Sequence, residues 1–282
     1  MASFDYLSLV RGDLHVNEYE KRMLALLEEG KAKHQIVAIK AEFEAEGTRV
    51  DELLRLLEIT RRAGLKVAIK IGGCEAIRDL IECRLYGVDY IIAPMVETPY
   101  ALSKFIAAKD KFYPRDEQDD VSFLFNLETH STFEKLDEMA EIARKGRVGM
   151  VFGRVDFAGS MGHTRDFVNS DDMRAFVVKS GQVARENGLE LVVGGGVSPD
   201  SIPLLSAVRE QRLDRFETRK VIFDGGVLAN PASATAGMEL AIQFELLWLK
   251  NKRDYYKTIA AEDEVRIAMM EKRQKGAIKA AA

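Results

Sequence analysis

Short, almost wholly apolar runs alternate with longer stretches of helical periodicity along most of the chain. Gln35–Ala41, Lys66–Ile71, Val88–Ala93, Val121–Leu127, Val148–Phe152, Leu189–Val193 and Lys220–Asp224 read as strands. They are rich in Val and Ile and lack a polar face, the signature of parallel strands covered on both sides. Arg49–Ala63, Glu75–Tyr86, Thr132–Lys145 and Ser170–Asn187 read as helices between them. This alternation predicts an α/β fold with helical crossovers. Placing functional residues at strand ends favours a (β/α)8 TIM barrel over an open sheet. The eighth strand has two candidate positions, Phe4–Leu9 or the region around Leu213–Phe216.

One barrel domain is expected over residues 1–282, with 231–282 a helical C-terminal extension. Asn230–Pro231 marks the start of that extension, since proline suits a first helical turn. Leu240, Phe244, Leu247 and Trp248 form an apolar stripe that packs either on the chain's own barrel or on a second subunit. Lys109–Asp120 reads as a charged, solvated loop.

Composition narrows the function. Apolar residues make up 47% of the 282 positions, enough for a full core. A net charge of -4 argues against nucleic acid as a partner, because such proteins carry a basic face. No run spans a membrane, and the charged amino terminus is neither a signal peptide nor an anchor. Cys74 and Cys83 lie on or beside one helix, which suits a reduced, cytoplasmic setting and packing without chemistry.

Parallel barrels gather their chemistry at the carboxyl ends of strands. Glu128 and Asp156 follow neighbouring strands and could share a hard cation such as Mg2+ or Mn2+ or, alternatively, cap helices. VAIK ends at Lys40 and again at Lys70, where a solvated lysine is not expected. Either could bind an anion, form a Schiff base, or snorkel past the rim. Glu42, Glu44 and Glu46 follow Lys40, so one can pair with a lysine or serve as a base. Gly194–Gly196 and Gly225–Gly226 follow the last two strands, the place where barrels hold phosphate, although both also suit tight turns. His130 and His163 follow the two acidic strand ends and could act as acid or base, or simply pack. With His15 and His34 they form no metal-ligand spacing, and no nucleophile elbow is present.

Three segments carry a resemblance. Ile91–Tyr100 (IIAPMVETPY) resembles the PMVE segment of the HpcH/HpaI aldolase and citrate lyase β-subunit family. Phe125–Met139 (FNLETHSTFEKLDEM) and Gly153–Gly162 (GRVDFAGSMG) resemble two further segments of that family, in register and in order. The resemblance runs from about Val37 to Phe223 and implies a phosphoenolpyruvate-binding type barrel. It implies a lyase that makes or breaks C–C bonds beside a 2-oxoacid or a CoA thioester. Glu128 and Asp156 then fall on the metal ligands, and the Val155 and Asp156 amides on the carboxylate-binding position. Gly153, Gly195, Gly196 and Lys40 complete the expected substrate-binding set from their strand-end positions, the Gly194–Gly196 run not being a general feature of the family.

The chain also departs from the family. Lys70 stands where the aldolases carry an arginine, and Glu42-Phe43-Glu44 lacks their basic histidine. Lys70, Glu44 and His130 are therefore the catalytic candidates. The expected reaction joins or releases a pyruvate-like 2-oxoacid and an aldehyde, with phosphorylated and sugar-derived aldehydes both open. A Schiff-base aldolase using Lys40 or Lys70, and a silent metabolite-binding or scaffold barrel, are the alternatives. A homo-oligomer is expected.

Overall fold

The computed structural model describes residues 17–281, with side chains through Gly276. The alternative eighth strand Phe4–Leu9 lies outside the described residues. Helix α1 (Glu18–His34) opens with a reciprocal cap: Glu20 N donates to Asn17 Oδ1 and Asn17 N to Glu20 Oε2. Eight strands then form a closed barrel in sequence order. They are β1 (Ile36–Glu42), β2 (Lys66–Lys70), β3 (Tyr90–Ala93), β4 (Ser122–Leu127), β5 (Gly149–Gly153), β6 (Leu191–Gly194), β7 (Arg215–Glu217) and β8 (Val221–Asp224).

Helices α2 (Val50–Arg62), α3 (Ile77–Tyr86), α4 (Pro99–Phe112), α5 (His130–Phe133), α6 (Leu136–Gly146), α7 (Arg154–Ser160), α8 (Asp171–Asn187) and α9 (Ile202–Arg209) join β1 through β7. Those seven strands pair in parallel. The last strand is different. β8 is antiparallel to both β7 and β1, so the barrel is mixed. Of the two sequence positions for the missing strand, the one around Leu213–Phe216 is the occupied one, shifted to β7. The all-parallel expectation is corrected at one strand. Only Thr218, Arg219 and Lys220 separate β7 from β8, and Thr218 N donates to Val221 O. A link that short can form a hairpin but not a parallel crossover.

The reversal exchanges the ends of β8. Lys220 now lies at the carboxyl-end mouth, while Gly225 and Gly226 fall at the opposite end, beside Leu213 and Asp214. The expected phosphate turn at Gly225–Gly226 is therefore not part of the mouth. Gly226 N donates to Asp224 Oδ1 in an ordinary capping turn.

Two apolar layers build the protein. Outward residues such as Ile39, Ile69, Phe125, Phe152 and Phe223 pack against the helices. Ala38, Ala68, Ile92, Leu124, Val151, Val192 and Ile222 form a separate cluster in the barrel interior. Strand side chains alternate between these layers, so the residue two positions along from each interior residue also faces inward. That parity carries Lys40, Lys70, Asn126, Gly153, Gly194 and Lys220 to the mouth above the apolar layer.

α10 (Pro231–Ala281) starts at Pro231, with Ser233 N donating to Asn230 Oδ1. Leu240, Phe244, Leu247 and Trp248 are buried, and α10 packs chiefly on α1. Of the two readings of this stripe, packing within the chain is the one realised. Every described side chain from Lys257 to Gly276 is exposed. The expectation of a solvated loop at Lys109–Asp120 needs correction, because Lys109 and Gln118 are buried. Lys109 Nζ donates to Gln118 Oε1 at 2.8 Å and stands 5.6 Å from the Phe123 ring centroid. No described helix is long and apolar enough to cross a membrane.

Candidate active site

The mouth of the barrel holds a cavity of about 530 Å3, lined by Lys40, Glu42, Glu44, Lys70, Asn126, Glu128, Gly153, Val155, Asp156 and Gly194–Gly196. Arg165, Glu217, Arg219 and Glu245 also line it. The strand-end rule thus brings most of the sequence candidates together.

Glu128 follows β4 and is 2% exposed. Its Oε1 accepts from Met95 N at 2.7 Å and its Oε2 from Asn126 Nδ2 at 2.7 Å. Met95 adopts a left-handed backbone with φ 49°, uncommon outside glycine, and this aims its N–H at the carboxylate. Burial, assisted by the charge of Asp156, raises the Glu128 pKa despite Lys70 and the two donors. Asp156 itself is exposed in the first turn of α7.

Gly153 ends β5 beside this group. A Cβ there would lie 2.9 Å from Glu128 Cβ and 3.0 Å from Oε2. Gly153→Ala is therefore expected to crowd Glu128 and cost about 1–3 kcal/mol, the scale of overpacking a filled site. A thermal melt checks this, and an unchanged melting temperature would show that Glu128 tolerates the crowding.

Lys70 Nζ stands 3.0 Å from Glu44 Oε2 and 3.5 Å from Glu128 Oε2. Burial pulls its pKa down, but Glu128 and Glu44 outweigh that and hold it above the ordinary lysine value. Lys40 is enclosed by Glu217 at 2.5 Å and Glu42 at 3.1 Å. Burial opposes its charge too, yet the two carboxylates keep it protonated well above the usual range. Glu46 pairs with Lys220 and, at 3.1 Å, with Arg219. Alternate carboxylates of the Glu42–Glu46 segment therefore each hold a different mouth lysine: Lys40, Lys70 and Lys220. Burial depresses Lys220, because Glu46 does not fully offset it.

The glycine run serves close approach. Gly195 has φ +80°, and a Cβ there would come within 2.7 Å of the Arg154 and Val155 backbone nitrogens. Arg154, fully buried, ties the run in place by donating from Nε to Gly194 O at 3.1 Å. Its other nitrogens donate to Val168 O, Asn169 Oδ1 and Ser201 Oγ.

Two histidines are not brought to the cavity. His130 turns away on α5, with its ring 5.9 Å edge-on from Phe176 and its Nδ1 3.8 Å from Glu134. It is not among the residues that line the cavity. His163 stacks on Phe167 at 4.0 Å. The sequence reading missed Arg165, Glu217 and Arg219. Period-two alternation through Arg215 and Glu217 was the available signal for Glu217, but β7 is only three residues long.

Among solved structures the chain resembles an HpcH/HpaI aldolase from Desulfitobacterium hafniense, with TM-score 0.57 and 12% identity over 72% of this chain and 83% of that one. It also resembles an HpcH/HpaI aldolase/citrate lyase family protein from Burkholderia cenocepacia, with TM-score 0.57 and 13% identity over 79% and 90% of the two chains. A variant of the citrate synthase SbnG aligns with TM-score 0.50 and 15% identity over 77% and 88%. At these identities the likeness concerns the fold. No curated protein matches the sequence. Residues 35–195, more than half of the chain and including β1 through β6, match the HpcH/HpaI aldolase/citrate lyase family, to which this chain therefore belongs.

Proposed function

We propose that the chain is a divalent-metal-dependent carbon–carbon lyase or aldolase that acts on a pyruvate-like 2-oxoacid and an aldehyde. The observation that supports this most is the meeting of Glu128 and Asp156 in one cavity with a surplus of acid. Six carboxylates line it (Glu42, Glu44, Glu128, Asp156, Glu217 and Glu245), against the four cations Lys40, Lys70, Arg165 and Arg219. A hard divalent cation suits that imbalance and a donor set of few protein oxygens. Glu128 and Asp156 would hold Mg2+ or Mn2+. When bound, the metal supplies Lewis-acid stabilisation of the negative charge that develops on the oxoacid oxygen.

The chain's own residues do the rest. Lys70 lies beside Glu128 and carries the charge to orient the oxoacid, exchanging Glu44 for it. The amides of Val155 and Asp156, at the start of α7, would bind the substrate carboxylate, with Gly195 lying close to the Val155 nitrogen. Glu44, released by Lys70, is the acid/base group at the rim. Lys40 and Lys70 are both kept protonated by their carboxylates, which disfavours either as a Schiff-base nucleophile, since that role needs a neutral amine. We also propose self-association through the exposed far half of α10, where Val265, Ile267 and Met270 are open.

The test is solvent deuterium exchange into the pyruvate methyl group, followed by NMR on the full chain. Exchange is expected with Mg2+ or Mn2+, should stop with EDTA, and should return on adding metal. Exchange that survives chelation, or none under any condition, would overturn the reading.

A further inference from the structure

The side of the cavity away from Glu128 and Asp156 is lined by Lys40, Glu42, Glu217, Arg219 and Glu245. Glu217 comes from β7 and is 5% exposed. Its Oε1 accepts from Lys40 Nζ at 2.5 Å. Its Oε2 is buried and has no hydrogen-bond partner among the described residues. A buried carboxylate oxygen left unsatisfied is costly and rare, and asks for a donor that the protein does not itself supply. Glu217 lines the cavity, and the terminal torsion of a glutamate is broad, so its carboxylate can turn to meet a ligand. Gly194 keeps the approach clear: a Cβ there would lie 3.0 Å from both Glu217 Cγ and Oε1.

The cations on this side are already matched. Lys40 holds two carboxylates, and Arg219 stands 3.1 Å from Glu46 and 3.8 Å from Glu245. A phosphate entering here would meet carboxylates in at least equal number, so like charge opposes it. An apolar group would leave Glu217 Oε2 still unpaired. A hydroxyl fits both demands, because it donates to a carboxylate and accepts from an ammonium or guanidinium. Lys40 has three N–H donors and uses two on Glu217 and Glu42, leaving one for a ligand oxygen.

We propose that Glu217 and Lys40 form a hydroxyl-binding subsite, so that the partner aldehyde is a neutral polyhydroxylated one rather than a phosphorylated one. The aldehyde's role rests on the lyase reading, whereas binding of hydroxyls does not. The two are therefore tested separately, with binding measured on the full chain after EDTA treatment.

Saturation-transfer NMR compares erythritol, glycerol 3-phosphate and 1-butanol as probes. Erythritol is expected to bind more tightly than the other two. Glu217→Gln should weaken it by about tenfold, the value of a charge-assisted hydrogen bond. The ranking of probes on the unaltered chain decides the matter even where Glu217→Gln fails to fold. No erythritol binding, or preferential binding of glycerol 3-phosphate, overturns the subsite. Erythritol binding without metal-dependent pyruvate exchange would sink the lyase reading alone. Exchange without erythritol binding would sink the subsite alone.

Discussion

On the proposed lyase reading, Glu128→Ala is expected to lower kcat/KM by on the order of 10³-fold, because it removes a carboxylate that would hold the metal. The carboxylate also accepts from Met95 N and Asn126 Nδ2 and faces Lys70, so alanine leaves two donors and a cation short of a partner. A stability loss of about 1–3 kcal/mol accompanies the change. Glu128→Gln separates the two effects. It keeps an acceptor for one donor and removes a charge that burial and Asp156 already disfavour, which is why the carboxyl pKa is raised. Its melting temperature should lie above that of Glu128→Ala, while pyruvate exchange is lost. Full exchange activity in Glu128→Gln would mean that this carboxylate is not a metal ligand.

Arg154→Met is expected to cost about 3–5 kcal/mol, because four buried acceptors lose their donor at roughly 1 kcal/mol each. Arg154 is 0% exposed and donates to four oxygens from three segments: Gly194, Val168 with Asn169, and Ser201. No described carboxylate pairs with it, so the guanidinium is held by hydrogen bonds alone. Methionine fills much of the volume but orphans the acceptors. At roughly 2–4 °C per kcal/mol for a chain of this size, the melting temperature should fall by about 10 °C. The glycine run would lose its anchor against α7, so substrate binding should weaken in the folded fraction as well. A shift under about 2 °C in a thermal melt would show that the acceptors find other donors.

The parts of the molecule visible in its sequence share one property: their signal is local. β1 to β6 are each rich in branched, aromatic or small apolar residues, and period-two alternation puts Lys40 and Lys70 inward without knowledge of their neighbours. Glu128 and Asp156 follow from their positions after β4 and β5. What stayed hidden depends on distant partners. β7 reads Arg-Phe-Glu, too short and too polar to stand out, because its two charges face the barrel interior and are paired by Glu190 and Lys40. The direction of β8 is invisible to apolar pattern, which looks the same read either way. Glu217 and Arg219 were missed for those two reasons. His130 follows Glu128 by only two positions, yet the helical turn of α5 carries its ring out to Phe157 and Phe176, which spacing alone does not reveal.

The reversal of β8 also limits how this barrel can diversify. In an all-parallel barrel, every strand end opens into a connection that can be lengthened or replaced without disturbing the sheet. Here one sector of the rim is the tight turn Thr218–Lys220, pinned by hydrogen bonds between Thr218 and Val221 and by Lys220 on Glu46. An insertion there would unpair two strands at the seam that closes the barrel. Descendants of this chain can therefore alter specificity on that side by exchanging side chains rather than by lengthening the turn.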